Sequence, residues 1–173
     1  MLPTMVVLDL TGTTVNGGII YGRSGRYELY GADAYTDLVE PELADFVSET
    51  FERCCRRALP VLAPTFDLRT VPGAWWHRGR EIDVVAPTSG ETLLVGECKF
   101  TSQPLGYDVL ARLEDDAAHV EWTPSSGNAP AIEYSLFARS GFARSVREAA
   151  ADRDDLSLFD LEDVVGALHE RTR

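Results

Sequence analysis

Lysine is almost missing from this chain: of its 16 basic residues, 15 are arginine and one is lysine, Lys99. A G-x-x-x-x-G-K-[ST] phosphate loop needs a lysine before Ser or Thr, and Phe100 follows the single lysine, so no P-loop lies within these residues. Cysteine is scarce as well. Cys54 and Cys55 are adjacent and Cys98 stands apart, which gives neither the framework of a disulfide-stapled domain nor a CxxC metal site; the expectation is a reducing, cytoplasmic setting. No stretch approaches the 18 or so apolar residues of a membrane span, and Met1-Leu2-Pro3-Thr4-Met5 carries no basic region ahead of an apolar run, so no membrane association is expected. Basic excess is absent too. The 28 acidic residues leave a net charge of −12, the opposite of the usual footprint of a nucleic-acid binder.

What is present is enough for one ordinary core. The length of 173 residues, 45% hydrophobic and 25% charged, suits a single domain that needs no disulfide or structural metal. An acidic, arginine-rich, lysine-poor composition is similar to that of proteins from salt-loving archaea, where acidity answers to the solvent and says little about a partner. An acidic protein from an arginine-biased genome would show the same balance. Either way, the lone lysine needs a reason.

Short strands with turn residues between them fill residues 1–31: Met5 to Leu8, Gly17 to Tyr21 and Tyr27 to Tyr30. From Pro41 to Leu62 the period becomes helical, with Leu43, Val47, Phe51, Cys54, Ala58 and Leu62 on one stripe. Thr65 to Trp75 reads as extended. Glu81 to Ala86 and Thr92 to Phe100 read as a hairpin turning at Thr88-Ser89-Gly90. A helix from Leu105 to Val120, a strand from Ala131 to Ala138, a helix from Phe142 to Ala151 capped by Ser140, a strand from Leu156 to Phe159 and a helix from Leu161 to Glu170 complete the chain. The expected class is α/β, a mixed central sheet flanked by helices in the order α-β-β-β-α-β-α-β, with a last helix closing the chain.

The hairpin carries the chemistry. Side chains alternate along a strand, so Glu97 and Lys99 share one face while Gly96, Cys98 and Phe100 take the other, and Asp83 is expected opposite in phase to Ile82 and Val84. Two carboxylates and an ammonium then meet between strands that are otherwise apolar enough to be buried. Buried acids want a cation. Two carboxylates with a main-chain carbonyl suit Mg²⁺ or Mn²⁺ better than zinc.

Asp83, followed fourteen residues later by Glu97-Cys98-Lys99 across a hairpin, resembles the PD-(D/E)XK nuclease superfamily, the restriction-endonuclease-like fold; Ile82 stands where the superfamily often has proline. More narrowly, Trp76-His-Arg-Gly-Arg-Glu-Ile-Asp-Val-Val-Ala86 with Gly96-Glu-Cys-Lys-Phe100 resembles the DUF234-like C-terminal domain of archaeal P-loop ATPases. The resemblance implies a nuclease-like domain over residues 40–173, preceded over 1–39 by a β-rich segment that would be the remnant of a winged-helix wing. It implies Mg²⁺-dependent hydrolysis of DNA phosphodiesters, with Asp83, Glu97 and the Cys98 carbonyl on the metal and Lys99 positioning water or stabilising the phosphorane. A guanidinium would not replace that compact point charge, which gives the lone lysine a reason. Glu52, at the margin of the helical stripe, is a fourth carboxylate.

Other readings stand beside this one. Asp83 and Glu97 could be a structural ion pair with Arg80 or Lys99, in a nuclease fold acting as a binding module with an ATPase in trans. Arg78, Arg80 and Gln103 are candidates for phosphate or water contact, or ordinary surface groups. Trp75 and Trp76 suit core or sheet-edge packing or a base-stacking platform. A homodimer is left open. Met5-Val-Val-Leu-Asp9-Leu-Thr-Gly-Thr-Thr-Val15 resembles the first motif of haloacid-dehalogenase-type phosphohydrolases, with Asp9 as nucleophile and Thr11 in place of the usual second acid. The competing account is a β-hairpin with a Thr-Gly turn.

Overall fold

The computed structural model describes residues 7–8, 14–15 and 40–171. The chain forms two compact units, Met1–Val47 and Ser48–Arg173. In the first, β1 (Val7–Leu8) and β2 (Thr14–Val15) pair antiparallel, Val7 opposite Val15 and Leu8 opposite Thr14. Asp9 and the strands expected at 17–21 and 27–30 lie outside the described residues.

The second unit is built on a five-stranded mixed sheet in sequence order: β3 (Gly73–His77), β4 (Arg80–Pro87), β5 (Thr92–Lys99), β6 (Ala131–Ala138) and β7 (Leu156–Asp160). The first three strands run antiparallel, and β5, β6 and β7 run parallel. Four helices flank it: α1 (Glu40–Leu62), α2 (Tyr107–Ala117), α3 (Arg144–Ala151) and α4 (Leu161–Glu170). Parallel strands need crossovers, and α2 and α3 supply them between β5 and β6 and between β6 and β7. Both faces are therefore covered, which is why Leu93-Leu94-Val95 is a continuous apolar run.

Two cores result. Phe51, Cys55, Ala58 and Leu59 of α1 pack with Val84, Ala86, Leu94, Cys98 and Phe137, together with Val164 and Ala167 of α4. On the other face Leu110 and Leu113 of α2 and Val146 of α3 pack with Ile82, Leu93, Val95 and Leu136. The α1 stripe is rotated slightly from the sequence expectation. Cys55 and Leu59 are fully buried, while Cys54 and Leu62 pack only at the margin.

Helix termini depart from the sequence reading where tertiary pairing takes over. α2 starts at Tyr107 because Leu105 bridges Phe142 as a short parallel pair. α3 starts at Arg144 after Ala143, and Ser140 is not its cap; the Ser140 hydroxyl donates to the Thr101 carbonyl at 2.6 Å. α4 has a full capping box, the Asp160 carboxylate accepting from the Glu162 and Asp163 amides while the Asp163 carboxylate accepts from the Asp160 amide.

Candidate metal centre at the mouth of the β4–β5 hairpin

The β4–β5 ladder runs in register from Pro87 opposite Leu93 to Val84 opposite Gly96. At its open end β4 changes register against β3: Gly73 faces Val85, but Trp75 faces Ile82. Three steps on β4 therefore match two on β3, which makes Asp83 and Val84 a bulge. The consequence is visible in the cores. Ile82 and Val85 pack on the α2 face and Val84 on the α1 face, so the expected strict alternation through Asp83 does not hold.

The bulge sets up the site. It leaves the β5 amide of Cys98 without a ladder partner, and the Asp83 carboxylate accepts from it at 2.8 Å. It also frees the Asp83 carbonyl, to which the Arg56 guanidinium donates at 2.6 Å from α1. A strand residue's N–H and C=O point to the same side, so the Cys98 carbonyl faces the same gap. Gly96 allows β5 to close tightly on its neighbour: a Cβ there would stand 2.7 Å from the Ser135 carbonyl oxygen. The loop beyond Lys99 is pinned through its carbonyl, which accepts from the Arg139 amide at 3.0 Å.

A cavity of about 270 Å³ opens at this point, and Glu52, Asp83, Glu97, Cys98 and Lys99 all line it. Four candidate side chains separated by up to 47 positions are thus brought together. Lys99 Nζ donates to Glu97 Oε1 at 2.5 Å. Asp83 is 8% exposed. Burial pushes its carboxyl up, the Cys98 amide and Lys99 pulling the other way. Glu97 is raised by burial and then by Asp83. Glu52 is raised furthest, to about 7, by burial and by Asp83, with Arg56 opposing at 3.7 Å. Each of the three acids is thus held in surroundings that disfavour its charge.

Arg78, Arg80 and Gln103 do not line the cavity. Arg80 is committed to Asp115 and Asp116, at 2.6 Å from each. Arg78 lies in the β3–β4 turn, and the Gln103 carbonyl accepts from the Thr101 hydroxyl at 3.0 Å. The sequence reading missed Glu81 and Arg112, which line the cavity, and Arg139, whose guanidinium lies 4.8 Å from the ring centre of cavity-lining Phe100. Glu81 was accessible in principle, being two residues before Asp83 on a strand. Arg112 and Arg139 come from α2 and the β6 end, and no local pattern marks them.

Among the described residues no three His, Cys, Asp or Glu side chains form a ready metal cluster. The donor set that fits a hard cation is smaller: the Asp83 and Glu97 carboxylates and the Cys98 carbonyl. One oxygen of each carboxylate carries a protein hydrogen bond, from the Cys98 amide and from Lys99 respectively. The other oxygen of each remains for a ligand, and a cation would offset the burial that raises both and the repulsion from Asp83 that adds to it at Glu97.

The fold and site define a mixed α/β domain with an acid-lined cavity at the open end of a bulged hairpin. The chain belongs to the DUF234 family, described as archaea bacterial proteins of unknown function, whose model matches residues 18–116, including β3 to β5 and all four acids and the lysine of the cavity. No curated protein and no solved structure matches the chain. No helix among the described residues is long and apolar enough to cross a membrane.

Proposed function

We propose that this domain is a Mg²⁺- or Mn²⁺-dependent DNA nuclease of the restriction-endonuclease-like fold. The supporting observation is the convergence of Asp83, Glu97, Lys99 and Glu52 on one cavity, with the Asp83 carboxylate fixed by the Cys98 amide of the neighbouring strand. Asp83, Glu97 and the Cys98 carbonyl would hold the ion, which when bound would supply polarisation of the scissile phosphate and a lowered pKa for water.

The chain's own groups do the rest. Water attacks phosphorus as the bond to the departing sugar oxygen breaks. Lys99, released from Glu97 by the incoming phosphate, places its ammonium on the phosphate oxygen where negative charge grows. Glu52, with a proton affinity near neutrality, takes the proton of the attacking water at its carboxylate. Arg112 borders the cavity and meets the flanking phosphate. A net charge of −12 makes these local cations, rather than any global field, the basis of DNA contact.

The Glu97–Lys99 pair also suits a second reading, a non-catalytic binding module that works with a P-loop ATPase in trans. One assay separates them. Incubated with branched and linear DNA and Mg²⁺ or Mn²⁺, the wild type cleaves, and Lys99→Ala and Asp83→Ala each lower the rate roughly a thousandfold. Undiminished cleavage by either variant removes these residues from the chemistry. A wild type that binds DNA under both metals and never cuts it establishes the binding module.

A further inference from the structure

The two adjacent tryptophans of β3 have opposite fates. Trp75 stands opposite Ile82 and packs into the core on the α2 face. Trp76 stands opposite Glu81 and is 79% exposed. Directly opposed residues of an antiparallel pair share a face, about 5 Å apart, and Glu81 lines the cavity. The uncovered indole therefore stands at the cavity's edge. Two residues on, the strand turns through Arg78 and Gly79, whose φ angles are 50° and 80°. A two-residue turn with both central residues left-handed favours Asn-Gly, and an arginine there is strained. Arg78 has no ion pair or hydrogen bond among the described residues to offset that strain.

An exposed aromatic and a strained free cation on one hairpin, contiguous with an acid-lined cavity, form a matched set for a strand of nucleic acid. The ring takes a base face, the guanidinium a phosphate, and the cavity the next phosphodiester. A duplex offers no free base face except at its ends, so the indole selects unpaired nucleotides. We propose that the β3–β4 hairpin is an arm for single-stranded DNA, a base stacking on Trp76 with its phosphate at Arg78. This rests on the phosphodiester reading of the cavity and adds the form of its substrate: strands, flaps or junctions with unpaired nucleotides beside the scissile bond.

The test measures fluorescence anisotropy of a short labelled oligothymidylate, and of its duplex with oligoadenylate, with Ca²⁺ in place of Mg²⁺. Trp76→Ala weakens oligothymidylate binding roughly tenfold or more while changing duplex binding little, and Trp76→Phe restores most of it. Arg78→Asn, which relieves the backbone strain, weakens single-strand binding while the Tm stays level or rises. That combination excludes a merely structural role. Unchanged affinity in Trp76→Ala, no oligothymidylate binding by the wild type, or a dimer in sedimentation that Trp76→Ala disperses would each overturn the arm. Mg²⁺-dependent cleavage indifferent to Trp76→Ala removes the arm and leaves the cavity reading standing. Trp76-dependent binding without cleavage keeps the arm and removes hydrolysis.

Discussion

Asp83 and Asp116 are both buried, at 8% and 4% exposure, and the protein treats them in opposite ways. Asp116 sits between guanidiniums, Arg80 at 2.6 Å and Arg112 at 3.6 Å, and Arg80 also binds Asp115. Asp83 has a main-chain amide and, around it, further acids, Glu81, Glu52 and Glu97. An acid retained for the fold is buried inside its counter-charge. Asp83 is instead fixed by backbone, and Lys99 and Arg56 offset its burial only in part, as the proposed ligand site would require. The Arg153 cluster pairs acids with a guanidinium in the same way as Asp116 but at half-exposed positions, serving Glu114 and Asp155 and holding Asp155 below its usual range. Among the described residues, the cavity is where the second arrangement is found.

That contrast can be broken at its frame. Gly96→Ala drives a Cβ onto the Ser135 carbonyl, so strands must shift; the expected loss is about 3 kcal/mol in urea unfolding. Arg56→Ala leaves the carbonyl of the Asp83 bulge without its donor, for a loss of about 2 kcal/mol by the same measurement. The comparison is sharpest in a matched pair. In metal-free buffer Asp83→Asn raises the Tm by a few degrees, because it removes a charge that the pocket disfavours, whereas Asp116→Asn lowers it by weakening the Arg80 fork. Equal signs for the two substitutions would erase the distinction.

The smallest effect is in pH. A carboxylate whose folded pKa is raised stabilises the fold below its unfolded value and loses that contribution as pH rises through the folded one. For Glu52 that window runs from 4.5 to about 7. Metal-free wild type therefore declines in stability across it more steeply than Glu52→Gln. A thermal-shift pH series in chelator checks the slope, and added Mg²⁺ should flatten it.

Much of this was legible in the chain. Pro41 and the apolar stripe announce α1, the Thr88-Ser89-Gly90 turn announces the β4–β5 hairpin, and the element order follows from period changes alone. Asp83, Glu97 and Lys99 were marked by their placement on paired strands. The bulge was not, because it arises from how β4 meets both neighbours, and nothing between Ile82 and Val85 signals it locally. Arg80 looked available for phosphate, but Asp115 and Asp116 reach it from a helix 35 and 36 residues away. Ser140 looked like a cap because its type suits one, yet a carbonyl on the neighbouring loop claims its hydroxyl. Long-range competition for polar groups is what a linear reading does not contain.

Calorimetric titration with Mn²⁺ tests directly, with no substrate present, whether the Asp83–Glu97 end of the hairpin takes a divalent cation. Wild-type protein should bind the ion, Asp83→Asn and Glu97→Gln should weaken it about tenfold or more, and Lys99→Ala should retain it. Absence of Mn²⁺ binding, or affinity unmoved by either carboxylate substitution, would contradict the account.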